Sequence, residues 1–183
     1  MVKVLVPLAN GCEELEAVTI IDLLRRAEVE VIVAGLEEGP VKASRGTVLV
    51  PDTLLDQVET ENFDMVVLPG GIPGADHLAS NPILANILKS TNQRGAYIGA
   101  ICAAPKVLAK QGYLSHINAT AYPGVLTQKQ YPDIKISEEA LEVADNIITS
   151  KGPGTAMVFT LKLIEILCGH KKKQSIMSQL MLP

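Results

Sequence analysis

Short, continuous apolar runs alternate along this chain with segments of helical periodicity, and this alternation restricts its fold more than any other feature. Runs without a polar face are typical of strands buried on both sides, as in parallel sheets covered by helices. The chain therefore predicts a flavodoxin-like, doubly wound, mostly parallel α/β sheet with helices on both faces. The predicted strands cover residues 2–8, 29–34, 46–50, 63–68, 96–101, 118–121 and 147–149, and the predicted helices cover residues 13–27, 82–91, 103–110, 155–167 and 172–181.

Composition narrows the class of protein further. With 183 residues, 48% of them apolar, residues 1–183 are expected to form a single domain. A net charge of −4 predicts no nucleic-acid or anionic-membrane partner, and no apolar run resembles a membrane span or secretion signal. Three cysteines without a CxxC pair favour neither a disulfide framework nor a zinc site, and indicate a reducing, cytoplasmic setting.

In a sheet of this kind, ligands bind beyond the carboxyl ends of the strands. The residues that follow Leu8, Leu68 and Ile101 are therefore the candidates for a functional site.

Cys102 directly follows a predicted buried strand and precedes a predicted helix. A sharp strand-to-helix turn can lift a nucleophile into the crevice, and small neighbours such as Gly99 and Ala103 permit that nucleophile elbow. The N-terminus of a helix favours a thiolate, so a lowered pKa is expected for Cys102. The alternative is an inert, buried cysteine.

The stretch "PGGIPG" follows Leu68 and places Gly70 and Gly71 at the next strand end. Backbone N–H groups of successive glycines can bind an oxyanion, although an ordinary glycine turn is an equal alternative. The chain contains neither GxGxxG nor a Walker A sequence, so no dinucleotide or nucleoside triphosphate cofactor is indicated.

Glu16 lies on the apolar stripe of the first predicted helix, together with Ile20, Leu23 and Ala27. Desolvation of a carboxyl group there predicts a raised pKa, so that Glu16 can donate a hydrogen bond to a thiolate or transfer protons. The alternative is a first-turn carboxylate that water still reaches.

The other two cysteines rank below Cys102. Cys12 is expected in a loop, exposed and open to oxidation, whereas Cys168 closes an apolar stripe and is expected in the core. None of the histidines, His77, His116 and His170, falls at a strand end beside Cys102, so local sequence does not support a Cys–His dyad.

Taken together, these segments resemble the ThiJ/PfpI family, within it the YajL-like branch related to the parkinsonism-associated deglycase. The resemblance spans nearly the whole chain and rests on motifs in the family's order and spacing: "GCEELEAV", "LLRRAEVEVIVAGL", "SRGTV", "FDMVVLPGG", "AICAAP" and "SKGPGTAMVF". It implies that Cys102 is the reactive thiol and that a protonated Glu16 hydrogen-bonds to it. It also implies an oxyanion site at the backbone amides of Gly71 and Ala103.

The resemblance further implies arginines near the cysteine, one of them across a dimer interface, at Arg45 and Arg26. The expected pocket includes Gly70, Tyr122 and Pro123, and a homodimer is expected. Two positions depart from the family's pattern. Ala103 stands where the protease-like branch has histidine, which argues against peptidase activity, and Tyr122 stands where some deglycase-branch members have histidine.

The expected function is that of a cofactor- and metal-independent deglycase or glyoxalase acting on methylglyoxal- or glyoxal-derived adducts in carbonyl and oxidative stress defence. The substrate is expected to be a small aldehyde or a glycated protein or nucleotide, and the products lactate or glycolate. The alternative is a redox-sensing stress chaperone in which Cys102 is oxidised to a sulfinate stabilised by Glu16.

Overall fold

A seven-stranded sheet runs through the centre of the computed structural model, which describes residues 1–182. The strand order is β10-β11-β7-β6-β1-β2-β5, and among the described strands of this sheet only β10 runs antiparallel to its neighbour. The strands are β1 (Lys3–Leu8), β2 (Glu30–Gly35), β3 (Val41–Lys42), β4 (Val48–Leu49), β5 (Thr53–Leu54), β6 (Met65–Leu68), β7 (Tyr97–Ile101), β8 (Asn118–Ala119), β9 (Lys135–Ile136), β10 (Leu141–Ala144) and β11 (Ile147–Ser150). The α-helices are α1 (Glu14–Arg26), α2 (Gly74–Ser80), α3 (Pro82–Gln93), α4 (Pro105–Lys110), α5 (Ala156–Cys168) and α6 (His170–Gln179). The predicted doubly wound, mostly parallel α/β fold is confirmed.

Both faces of the sheet are buried, which explains why its strands are apolar at successive positions. Side chains alternate between the two faces of a strand. Accordingly, Val4 and Val6 of β1 pack in one core with α1, α5 and α6, whereas Leu5 packs in a second core with α2, α3 and α4. Gly99 of β7 lets a helix approach closely, because a Cβ there would lie 3.1 Å from Cζ of Phe159 in α5.

Several short elements differ from the sequence-based prediction. The strand predicted at 46–50 is only Val48–Leu49 and pairs with β3 outside the main sheet, and the strand predicted at 118–121 is only Asn118–Ala119, paired with β9. The helix predicted to follow Cys102 directly begins three residues later, at Pro105. The elements not predicted include α2, the edge strand β10 and the two-residue strands β3, β5 and β9.

The topology brings three strand ends together. β2 lies on one side of β1 in the sheet, whereas β6 and β7 lie on its other side. The direction in which successive strands are added therefore reverses between β1 and β6. A crevice forms where the order of parallel strands reverses. The segments after Leu8, Leu68 and Ile101 meet there. Within residues 1–182, no helix has the length and apolar character needed to cross a membrane.

Candidate active site

Cys102 lies at the tip of β7 with its backbone held on both sides. Its φ of 62° is in the left-handed region, which a non-glycine residue adopts only when its surroundings enforce it. The Cys102 N–H donates to the carbonyl oxygen of Ser150 at 2.9 Å, and its own carbonyl accepts from the N–H of Tyr122 at 2.8 Å. The side chain is 8% exposed. The turn therefore fixes a nearly buried thiol at the edge of the crevice.

Glu16 projects from the first turn of α1 and is fully buried. Its Oε2 accepts a hydrogen bond from the N–H of Gly70 at 2.8 Å, and within residues 1–182 the buried Oε1 has no hydrogen-bond partner of its own. Burial raises the pKa of Glu16 to about 7, against the opposing influence of the Gly70 amide and the neighbouring Cys102 side chain. The raised pKa expected from the apolar stripe is confirmed.

The glycine pair allows the three segments to approach one another. A Cβ on Gly70 would lie 2.7 Å from Cβ of Cys102, and one on Gly71 would lie 2.4 Å from the backbone nitrogen of Glu13. Gly71 also has a φ of +91°, which favours glycine. Side chains at these positions would separate Cys102 from the start of α1.

The backbone N–H groups of Gly71 and Ala103 lie near the Cys102 sulfur and act to lower its pKa. Burial outweighs them and, together with the adjacent charge of Glu16, raises the pKa of Cys102 to about 12. The lowered pKa expected for this thiol is therefore wrong. The expectation relied on a helix that begins at Cys102, but α4 starts at Pro105 and has only six residues.

Cys102 and Glu16 form one acid–base pair, because their side chains interact directly. Burial raises the pKa of both groups, that of the carboxyl remaining below that of the thiol, so the pair carries a single negative charge after Glu16 has ionised and before Cys102 does. The direct contact between the two side chains allows this charge to reside on the carboxylate or, when an electrophile approaches, on sulfur. The amides of Gly71 and Ala103 stabilise negative charge at the same place.

Comparison with known proteins identifies the family. The model of the DJ-1/PfpI family matches residues 2–166. The chain belongs to the DJ-1/PfpI family. Protein dj-1beta of Drosophila melanogaster is 43% identical over 173 residues, covering 94% of this chain and 92% of the relative. The glutathione-independent glyoxalase DJR-1.2 of Caenorhabditis elegans is 37% identical over 173 residues, with the same coverage of 94% and 92%.

Solved structures of DJ-1/PfpI proteins have the same fold. Oxidized Toxoplasma gondii DJ-1 is 42% identical with a TM-score of 0.94, and the alignment covers 100% of this chain and 99% of that one. Drosophila melanogaster DJ-1beta is 40% identical with a TM-score of 0.94, covering 100% of this chain and 98% of the other. The predicted membership of the ThiJ/PfpI family is thereby confirmed.

The two arginines expected from the DJ-1/PfpI pattern do not join the Cys102 pair within this chain. Arg26 ends α1 and pairs with Asp22 at 2.7 Å, ten residues or about 15 Å of helix from Glu16. Arg45 is exposed, and its backbone N–H donates to the Glu14 carboxylate at 3.0 and 3.1 Å.

Tyr122 and Pro123 lie beside the turn that carries Cys102. Tyr122 is attached to it through the backbone hydrogen bond already described, and its side chain is 52% exposed. Together with Pro123 it lines a small cleft. Within residues 1–182, none of the three histidines hydrogen-bonds to Cys102 or Glu16, and no three His, Cys, Asp or Glu side chains group to hold a metal.

The environments of the other cysteines differ from those expected. Cys12 is fully buried, and burial raises its pKa to about 11, so the expectation of an exposed, oxidisable thiol is wrong. Gly71 and Gly74 cause this burial, because both pack directly against the Cys12 backbone. Cys168, expected in the core, is only partly buried, at the end of α5.

Sequence reasoning missed Ser150 and Lys151. Ser150 ends β11 and accepts the Cys102 N–H, while its hydroxyl lies 2.7 Å from that of Thr155. Lys151 follows it and lines the cleft with Tyr122. The motif "SKGPGT" contains both residues, but their contact with the cysteine turn depends on the pairing of β11 with β7.

Proposed function

We propose that this protein is a cofactor-independent glyoxalase that converts methylglyoxal to lactate and also acts on methylglyoxal- and glyoxal-derived adducts. One observation carries the proposal: a nearly buried thiol, Cys102, interacts directly with a buried carboxyl, Glu16, beside the two amides of Gly71 and Ala103. The glyoxalase name of the relative from Caenorhabditis elegans supports the same activity.

The first step is addition of the thiol to the aldehyde. The Cys102 sulfur bonds to the aldehydic carbon while Glu16 accepts the thiol proton. The carbonyl electron pair moves to oxygen, which the amides of Gly71 and Ala103 stabilise as an oxyanion. Return of the proton gives a neutral hemithioacetal.

The second step moves a hydrogen from one carbon to the next. Glu16 removes the proton from the carbon bonded to sulfur, and the electron pair moves to the neighbouring carbonyl oxygen, giving an enediolate. Glu16 then returns this proton to the adjacent carbon, while the hydroxyl proton on the sulfur-bearing carbon moves to the enediolate oxygen. This produces a lactoyl thioester of Cys102 without net gain or loss of electrons. Water hydrolyses the thioester, releasing lactate and regenerating the thiol. A hemithioacetal or hemiaminal adduct enters the same sequence when sulfur displaces its thiol or amine.

Lactate formation from methylglyoxal in the absence of glutathione tests this proposal. We expect turnover in the parent, none in Cys102→Ser, and a loss of about 10²- to 10⁴-fold in Glu16→Gln, the usual contribution of a positioned acid–base group. kcat/KM of the parent should rise with pH through an apparent pKa near 7. The Glu16→Gln variant should not show this rise. Cys168→Ser is the matched control. Equal turnover in Cys102→Ser would refute the mechanism.

Action on adducts requires its own measurement, because adducts release methylglyoxal spontaneously. In a control reaction without the protein, an excess of a reagent that traps free methylglyoxal gives the rate of this spontaneous release. A direct deglycase should restore the free amine or thiol faster than the trapping reagent alone does. If the protein restores the amine or thiol only as fast as the trapping reagent does, its activity is limited to free methylglyoxal.

A second function is supported by the same anion site. Two equivalents of hydrogen peroxide would convert the Cys102 thiol to a sulfinate and two water molecules, and the amides of Gly71 and Ala103 can hold a sulfinate oxygen. We propose this as redox sensing in a reducing, cytoplasmic compartment. Peptide masses after peroxide treatment should show two added oxygen atoms at Cys102 and none at buried Cys12. Equal oxidation of both cysteines would contradict it.

A further inference from the structure

A cleft of about 50 Å³ lies beside the cysteine turn, lined in part by Tyr122, Ser137 and Lys151. One lining residue, and the neighbour of another, also hold the backbone of Cys102. Tyr122 donates its N–H to the Cys102 carbonyl at 2.8 Å, and the residue before Lys151 accepts the Cys102 N–H at 2.9 Å. The cleft is therefore joined through the backbone to the turn that carries Cys102.

Lys151 supplies the positive charge in this cleft, and it is the single cation among the described lining residues. Its Nζ donates to the backbone carbonyl of Glu138 at 2.8 Å and to the Glu138 carboxylate at 2.9 Å. The carboxylate is 90% exposed, so a pair of this kind gains little from its Coulomb attraction. An incoming carboxylate can displace it, while the backbone hydrogen bond keeps the ammonium group in position.

Ser137 provides a second donor for an anion. Its Oγ accepts the N–H of Glu139 at 3.1 Å, which leaves the hydroxyl proton free to bind a ligand oxygen. A volume of about 50 Å³ accommodates a group of a few heavy atoms. The cleft thus suits a carboxylate on a small molecule.

We propose that this cleft binds the carboxylate of the substrate, with Lys151 as the residue that determines specificity. The substrate class is the adduct of a 2-oxoaldehyde with a free amino acid or a thiol acid, whose reactive carbon meets Cys102 while its carboxylate replaces that of Glu138. The assignment rests on the proposed function and specifies the substrate class of the same site.

Paired alkylating reagents test the cleft without any need for turnover. N-iodoacetylglycine carries a carboxylate, and N-iodoacetylglycinamide is its neutral counterpart. The rate of Cys102 alkylation by each reagent is measured by peptide mass spectrometry, and the ratio of the two rates is compared among variants. The neutral reagent reports any general change in thiol reactivity or folding. Lys171→Gln, an exposed site in α6, is the control for net charge.

We expect Lys151→Gln to lower the ratio of charged to neutral reagent at least twofold. Glu138→Gln should raise it, because the backbone carbonyl still positions Lys151 after the competing charge is removed. Lys171→Gln should leave it unchanged. An unchanged ratio in Lys151→Gln, or equal decreases in Lys151→Gln and Lys171→Gln, would overturn the proposal. The proposed glyoxalase function is tested separately, by methylglyoxal turnover of the parent, and that result does not depend on the ratio of alkylation rates.

Discussion

A buried carboxyl group at residue 16 makes the stability of the fold depend on pH. The pKa of Glu16 is about 7 in the folded protein and 4.5 without its surroundings. The folded state therefore retains a proton that the unfolded chain has lost, and stability decreases as pH rises from 4.5 to 7. The difference between these two pKa values corresponds to at most about 3 kcal/mol in the free energy of unfolding.

Glu16→Gln should remove this dependence. Glutamine keeps the acceptor for the Gly70 amide but cannot ionise. At pH 8 we expect its free energy of unfolding to exceed that of the parent by up to about 3 kcal/mol, with near equality at pH 4. Urea unfolding at several pH values measures this. A constant difference between the two proteins across this range would contradict it.

The substitution Gly70→Ala tests how closely the cysteine turn must approach α1. The methyl group of Gly70→Ala would lie 2.8 Å from the backbone nitrogen of Ala103 as well as against Cys102. We expect a loss of about 1–3 kcal/mol, several degrees in Tm, together with loss of turnover. Gly154→Ala is the control, because a Cβ there meets nothing within 4 Å. Equal melting temperatures in the two variants would count against this packing.

The sequence predicted those candidate site residues whose position is indicated by the residues next to them in the chain. Glu16 continues a visible apolar stripe of α1, and Cys102 follows a visible strand. The burial of Cys12 depends instead on Gly71 and Gly74, which lie about sixty residues away and approach its backbone only in the folded chain. The raised pKa of Cys102 likewise follows from burial and then from contact with Glu16, both of which depend on segments distant in sequence.

At the level of elements, α1 holds the turn between β3 and β4. The Glu14 carboxylate accepts hydrogen bonds from the N–H groups of Arg45 and Thr47 and from the hydroxyl of Ser44. Burial opposes ionisation, but these donors and Glu14's own amide lower its pKa to about 2. This contribution to stability is present above pH 4.5 and is lost as pH falls toward 2.

Glu14→Ala should release this turn without unfolding the sheet. We expect hydrogen exchange at the Arg45 and Thr47 amides to accelerate at neutral pH, because both lose their acceptor. Amides of β6 should keep their protection and serve as the internal control. Unchanged exchange at both turn amides would show that the carboxylate does not hold them.

Long elements were predictable and short ones were not. The central strands are continuous apolar runs, and α1, α3 and α5 show a helical period in their apolar residues. By contrast, β3, β5, β8 and β9 have two residues each, too few to show a period. The seven residues of α2 begin at Gly74, a residue with low helix propensity, so tertiary packing rather than local preference forms this helix.

On the scale of the whole molecule, an apolar patch remains exposed on the outer side of α1 and the adjoining β3–β4 hairpin. Leu15, Val18, Val48 and Val50 are 51%, 46%, 58% and 79% exposed, and Val18 and Val50 line a common cleft. Exposed patches of this kind mark interaction surfaces. We propose that a second copy of the chain covers this patch, which is the homodimer expected from the family resemblance.

Val50→Glu should convert a dimeric parent into a monomer, because it places a charge in the contact. Light scattering during size-exclusion chromatography measures the mass in solution. Val158→Glu changes a valine of similar exposure, 54%, on α5, and should leave the dimer intact. A parent with the mass of one chain would refute the proposed interface.

The attachment of Cys102 to Ser150 has a consequence for biosynthesis. Proteins are made from the N-terminus, so β7 and its thiol are complete well before β11, the strand that will lie beside it. Until then the cysteine turn lacks one of its two backbone anchors. A nascent chain arrested before residue 150 therefore lacks the acceptor for the Cys102 N–H, and the cysteine turn gains its second backbone anchor only when the segment that carries β11 has left the ribosome.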